Sequence, residues 1–265
     1  MEYTSCAEIV CKLTEAQQSS TVKSSTVKRW WKDCVLFDYE NKRTSNKVSW
    51  IPIKFNLDGE FKEYKRIKIF GERVYGDVKP FEDGGRKSRD KIPIQIARSR
   101  NDFHNYENTE DISDFYTFME LMNEIFTSEM KEKNSKIYSM IQDTARSPDG
   151  SVLGGPSEKI NNPFCRLNIK FDNKGICTKI FDKSKIKSDS KMKPILIDDK
   201  IPNQDNIHTL FPSRTLIYGY FELSGVIISP MGVSCSAIAK ELAIQIPERI
   251  FSKSQHIENL RTLCL

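Results

Sequence analysis

Between residues 48 and 70, cations and aromatic rings alternate in a pattern that has a chemical use. If two strands turn at Asn56-Leu57-Asp58-Gly59, alternation of side chains places Ile51, Ile53, Phe55, Ile67 and Ile69 on one face. The opposite face then collects Trp50, Lys54, Lys62, Tyr64, Arg66, Lys68 and Phe70. Solvent requires charge of a surface but not rings. A nucleic-acid strand uses both, cations against phosphates and flat rings against bases. The competing reading is an ordinary half-covered strand face, which sheets also carry.

Other chemistry lacks its constellation. The segment Gly150-Ser151-Val152-Leu153-Gly154-Gly155 has no phosphate-binding lysine after it, and no nucleophile elbow or paired-histidine zinc motif occurs. Cys6 and Cys11 lack partners at zinc spacing, and His104, His208 and His256 stand apart in the sequence. Asp198-Asp199 is an adjacent acid pair of the kind common on loops. No catalytic residue, metal or cofactor is therefore expected.

Charge distribution extends the binding reading. Residues 23–100 carry 20 Lys/Arg against 11 Asp/Glu, residues 101–150 carry 4 against 11, and residues 165–193 carry 9 against 3. Two basic strand-rich regions flank an acidic one, which predicts that the basic regions meet around one groove. Further candidates are Trp30, next to Trp31 and bracketed by Arg29 and Lys32, and Arg86, Lys87 and Arg89 on a Gly-rich loop. Of the two adjacent indoles, one is expected in the core. Arg166 and Lys170 face outward on a second hairpin, opposite Leu167, Ile169 and Phe171.

The elements that must position these residues follow from periodicity. Residues 91–98 alternate as a third strand, with Pro93 marking an edge or bulge. Residues 111–133 place Ile112, Phe115, Phe118, Met119, Met122, Ile125 and Phe126 at helical spacing, a stripe expected to pack on a sheet. A short helix is expected near 135–141, a hairpin over 164–181, a strand over 193–197, and a last pair of segments over 216–228 and 233–246, the second readable as strand or helix. Residues 1–29, rich in Ser, Thr and Gln, predict a flexible arm. Residues 30–250 form one expected domain, and 251–265 a tail. Seven scattered cysteines and a polar N-terminus predict a reducing compartment, and no apolar run reaches membrane-span length.

Hairpin, third strand, helix and further strands give an expected fold class of α+β: an OB-fold-like antiparallel β-barrel with a long helix inserted between its third and fourth strands, plus peripheral strands. Several segments carry a family likeness: Asn162-Pro163 with Arg166, Ile169 and Lys170; Asp205-Asn206-Ile207-His208 with Leu210; and Ser229, Met231, Gly232 and Ser234. Across residues 45–246 the chain resembles the single-stranded-DNA-binding proteins of large nucleocytoplasmic DNA viruses, the African swine fever virus type and more distantly the poxvirus type. That resemblance implies binding of single-stranded DNA, coating of replication intermediates, self-association along the strand, and residence in host-cell cytoplasm. Residues 261–265 lack the acidic tail of some single-strand binders, so tail-mediated recruitment is not implied. RNA as the ligand on the same fold, or acidic protein partners for the basic faces, are the alternatives.

Overall fold

The computed structural model describes residues 3–22, 29–73, 82–83, 86–87, 91–95, 110–131, 136–141, 164–172, 175–183, 194–197, 200–203, 206–212 and 215–246. The first element is a helix, α1 (Cys6–Val22), where an arm was expected. Ser5 and Glu8 cap it reciprocally: the Ser5 N–H donates to the Glu8 carboxylate at 3.0 Å and the Glu8 N–H to the Ser5 Oγ at 3.2 Å. Cys6, Ile9 and Leu13 are buried, and their face packs on the second helix. Three apolar side chains suffice because the remainder of the core is supplied by other elements.

Strands follow as β1 (Val35–Phe37), β2 (Arg43–Ser45), β3 (Val48–Asn56), β4 (Phe61–Lys62), β5 (Ile67–Arg73), β6 (Glu82–Asp83), β7 (Arg86–Lys87) and β8 (Lys91–Gln95). After α2 (Glu110–Lys131) come β9 (Ile137–Tyr138), β10 (Phe164–Asn168), β11 (Phe171–Asp172), β12 (Gly175–Ile176) and β13 (Lys179–Asp182). A 3-10 turn at Ile207–Leu210 precedes the long hairpin of β14 (Leu216–Ser229) and β15 (Gly232–Gln245). The ambiguous final segment is thus a strand, and 135–141 contributes a strand instead of a short helix. The strand expected over 193–197 is reduced to an isolated bridge between Ile197 and Lys200.

The described residues are α+β, with a large mixed sheet and two α-helices. The sheet runs β1-β3-β14-β5-β8-β10-β15-β13, and β14 also pairs with β15. It is not the all-antiparallel barrel expected, because β9, β10 and β13 each lie parallel to β15. The first hairpin is also shorter than its alternation predicts. Only Phe55–Lys62 and Asn56–Phe61 pair between β3 and β4; the chain then leaves β3, and β5 pairs with β14 over Ile67–Glu72. Alternation reports which residues face inward, not which strand lies alongside.

Ile51, Ile53, Phe55, Ile67 and Ile69 are all buried, as the alternation requires. Against them lies the stripe of α2, whose Phe115 and Phe118 rings meet Phe221 of β14 at 5.7 and 6.0 Å between centroids. Phe118 also meets Phe55 at 6.2 Å. Full burial of such a ring contributes roughly 1.5–3 kcal/mol. The α2 stripe is therefore core, and it fixes the inner side of the sheet from which the outer face is measured.

Candidate nucleic-acid interface

The outer face of β14 carries Tyr218 and Tyr220, two residues apart and both half-buried. Register places Lys68 of β5 and Glu241 of β15 beside Tyr220, with Lys179 of β13 beyond Glu241. In the next row Phe70, Tyr218, Ala243 and Phe181 lie abreast. Tyr218 and Tyr220 are two residues apart on one strand and directly opposed residues share a face, so the described side chains of the two rows lie on one side of the sheet. The Arg66 guanidinium sits 5.7 Å from the Tyr220 ring centroid, and the Lys183 ammonium 3.5 Å from that of Tyr218. Tyr3 leans on Tyr220 at 5.7 Å and 45°. The N-terminal residues are held there because the Thr4 N–H donates to the Arg66 carbonyl and the Lys68 N–H to the Thr4 carbonyl.

Glu241 is the acid among these groups. Its carboxylate pairs with Arg66 and, at 3.0 Å, with Lys179. Partial burial pushes Glu241 up, but the Lys179 hydrogen bond and the nearby Arg66 charge outweigh it and hold the group below the usual glutamate range. One carboxylate thus organises two cations, with Lys68 and Lys183 beside the same two rings. Beside this face, a groove of about 720 Å³ between α1 and residues 57–66 shares Tyr3 and Arg66 with it and is also lined by Lys12, Tyr64 and Lys65.

The residues singled out from sequence are dispersed by the fold. Arg66 and Lys68 join the tyrosine face, and Phe70 occupies the register position opposite Tyr218. Trp50 lies on the outer face of β3, opposite Ile227 of β14, with the Arg43 guanidinium 5.3 Å from its ring centroid. Lys54 forms a 2.6 Å ion pair with the buried Asp38. Lys62 pairs with Asp58 at 2.6 Å and Glu60 at 3.4 Å, so its charge is largely answered locally. Tyr64 departs from the outward position expected of it: beyond the end of β4 it turns against Phe55 at 6.2 Å and packs on the core. Trp31 is the core indole, and Trp30 is half-buried against it at 5.7 Å, edge-on. Arg166 and Lys170 are exposed on and just beyond β10. Arg86 and Lys87 form β7, paired with β6, while Arg89 lies outside the described residues.

No pattern in the sequence singles out Tyr218, Tyr220, Tyr3, Lys179 and Lys183 as one site. The alternation of Tyr218 and Tyr220 within 216–228 was visible, but their cationic neighbours come from other strands. Among the described residues, no group of three or more His, Cys, Asp and Glu gathers as a metal site, and burial pushes the Cys165 thiol up to about 12, which makes it a poor nucleophile. Among those residues, too, no helix is long and apolar enough to cross a membrane.

No protein-family model matches the chain. It is 24% identical over 255 residues to the uncharacterized protein CP312R of a Pretoriuskop tick isolate of African swine fever virus, covering 84% of this chain and 75% of that protein. A Kenyan pig isolate provides a second such relative, 23% identical over 242 residues, with 84% of this chain and 76% of the relative covered. The chain bearing this tyrosine and cation face is therefore similar, over most of its length, to uncharacterized proteins of African swine fever virus.

Proposed function

We propose that the protein is a sequence-tolerant single-stranded-DNA-binding protein that coats viral replication intermediates. The observation that carries this reading is the outer face of β14, where Tyr218 and Tyr220 lie among Arg66, Lys68, Lys179 and Lys183. Rings at two-residue spacing offer stacking surfaces to successive bases, and cations at their margins offer contacts to the phosphates between them. No base-edge donor or acceptor pattern is needed for such contacts, hence the tolerance of sequence.

Strand order lends support. Taken in the order β5-β8-β10-β15-β14, with β14 paired back to β5 and β10 parallel to β15, the pairings follow the circuit of a five-stranded OB-fold. Two features depart from a closed barrel of that kind. The β5–β8 seam spans two residue pairs and the β10–β15 seam one, and α2 falls between the second and third strands of the circuit instead of the third and fourth. The African swine fever virus relatives supply the viral setting.

Fluorescence anisotropy on single-stranded DNA, duplex DNA and RNA of equal length tests the proposal. Single strands should bind far more tightly than duplex, whose bases are already stacked. Tyr220→Ala should lose about 1–3 kcal/mol of single-strand affinity. Tyr64→Ala is the contrast: its ring packs on Phe55, so it should destabilise the fold by about 2 kcal/mol while the folded protein binds normally. Equal affinity for single strand and duplex, or unchanged binding by Tyr220→Ala, would sink the reading. Tighter binding to RNA would move it to an RNA-binding role.

A further inference from the structure

The far end of the β14–β15 hairpin carries a second set of rings and cations. One row crosses five strands: Arg43 of β2, Trp50 of β3, Ile227 of β14, Ser234 of β15 and Tyr138 of β9. Each ring of that row has a cation over it, Arg43 at 5.3 Å from Trp50 and Lys136 at 5.1 Å from Tyr138. The Tyr138 hydroxyl donates to the Met231 carbonyl at 3.1 Å, which ties β9 to the hairpin tip, and Met231 itself is 70% exposed.

This row lies on the same side of the sheet as Tyr218 and Tyr220. In an uninterrupted strand Tyr220 and Ile227, an odd number of residues apart, would face opposite ways. The register slips by one residue between Leu223 and Gly225, and the extra residue restores the match. Buried residues show this directly: Phe221, Leu223 and Val226 mark the inner face, so inward parity changes after Leu223. Along the strand the two sets are separated by roughly 20 Å, at about 3.3 Å per residue.

We infer that the hairpin tip is a second base-stacking station for single-stranded nucleic acid, built from Trp50 and Tyr138 with Arg43, Lys47 and Lys136, and that one strand runs along β14 from the tyrosine face to it. The inference rests on the proposed function and extends it. Charge complementarity identifies the occupant: residues 43–53, 136–141 and 223–239 contain Arg43, Lys47 and Lys136 and no Asp or Glu, while Glu222, on the outer face of β14 between the two sets, is paired with Lys240. A polyanion with flat bases answers both the positive charge of the tip and the ring–cation pairs. An acidic peptide would answer only the first.

Length dependence separates the two stations. An oligonucleotide of about 5 nucleotides should occupy one station, and one of about 15 should reach both, within the range of site sizes known for single-strand binders. With the full-length protein, Tyr138→Ala should weaken the longer strand roughly 5- to 150-fold, the equivalent of one lost base stack, and leave the shorter one unchanged. Lys136→Ala and Arg43→Ala, both at exposed positions, should act in the same direction more weakly, and they keep the test valid if Tyr138→Ala unfolds. Tyr220→Ala should weaken both lengths. Wild-type affinity of all three tip variants for the longer strand would overturn the second station while leaving the tyrosine face intact. Loss confined to the tip variants, with Tyr220→Ala neutral, would keep the tip and overturn the tyrosine face. No binding of either length by the wild-type protein would remove both.

Discussion

Lys54 and Asp38 illustrate how a residue's partner decides its role. Asp38 is buried, and it accepts hydrogen bonds from Lys54, from the Asn41 side chain at 2.7 Å and from the Asn41 N–H at 3.1 Å. The Lys54 hydrogen bond, followed by that of the Asn41 side chain, holds the Asp38 carboxyl below the ordinary aspartate range. A group depressed on folding adds stability that is complete above its unfolded value, about pH 4, and is lost as pH falls through the folded one. The melting temperature should therefore drop as pH is lowered below about 4, and Asp38→Asn should remove part of that drop. Melts between pH 3 and 7 check this; parallel curves for the two proteins would mean the pair contributes nothing. The same comparison explains the dispersal of the expected site. Lys54 and Lys62 looked like phosphate contacts because their acids, Asp38, Asp58 and Glu60, carry no mark in the sequence of where they turn.

At the scale of elements, the hairpin of β14 and β15 depends on close approaches that only glycine permits. Gly225 has φ +153°, and a Cβ there would stand 2.3 Å from the Ile51 carbonyl oxygen and 2.7 Å from the Trp50 Nε1. The absence of a side chain lets the Trp50 indole lie down on β14 at the site of the register slip. Gly225→Ala should therefore destabilise the protein by about 1–3 kcal/mol and alter the environment of Trp50. Urea unfolding and tryptophan emission measure the two effects, and a variant with native stability and native emission would show that the strand absorbs the methyl group. The α2 stripe was legible because its partners are core whatever they are. The helix at α1 was less so, although Ser5-Cys6-Ala7-Glu8 is a capping-box sequence: its few apolar residues become sufficient only when α2 supplies the other half of the contact.

Across the whole molecule, the two ring sets predict how binding responds to salt. If the protein binds single strands as proposed, Arg66, Lys68, Lys179 and Lys183 would serve a short strand at the tyrosine face, and Arg43, Lys47 and Lys136 would be added by a long one. With about 0.7 of a counterion released per phosphate, log K against log salt should fall with a slope of about −3 for the short strand and −5 for the long. Equal slopes for both lengths would mean that the tip cations touch no phosphate. What the sequence by itself determined was periodic: the inward sets of β3 and β5, the α2 stripe, one core indole of the Trp30–Trp31 pair, and the outward placement of Arg166 and Lys170. These follow from a residue's own neighbours in the chain, because a strand repeats every two residues and a helix every 3.6. Which strands lie side by side, and hence which rings meet which cations, was decided only in three dimensions. Tyr220 gathers Arg66, Lys68 and Glu241 from β5, β15 and the turn before β5, and Trp50 shares a row with Tyr138 through β14 and β15. Such long-range pairings depend on the register of strands distant in sequence and on a one-residue slip at Gly225, and neither leaves a periodic trace.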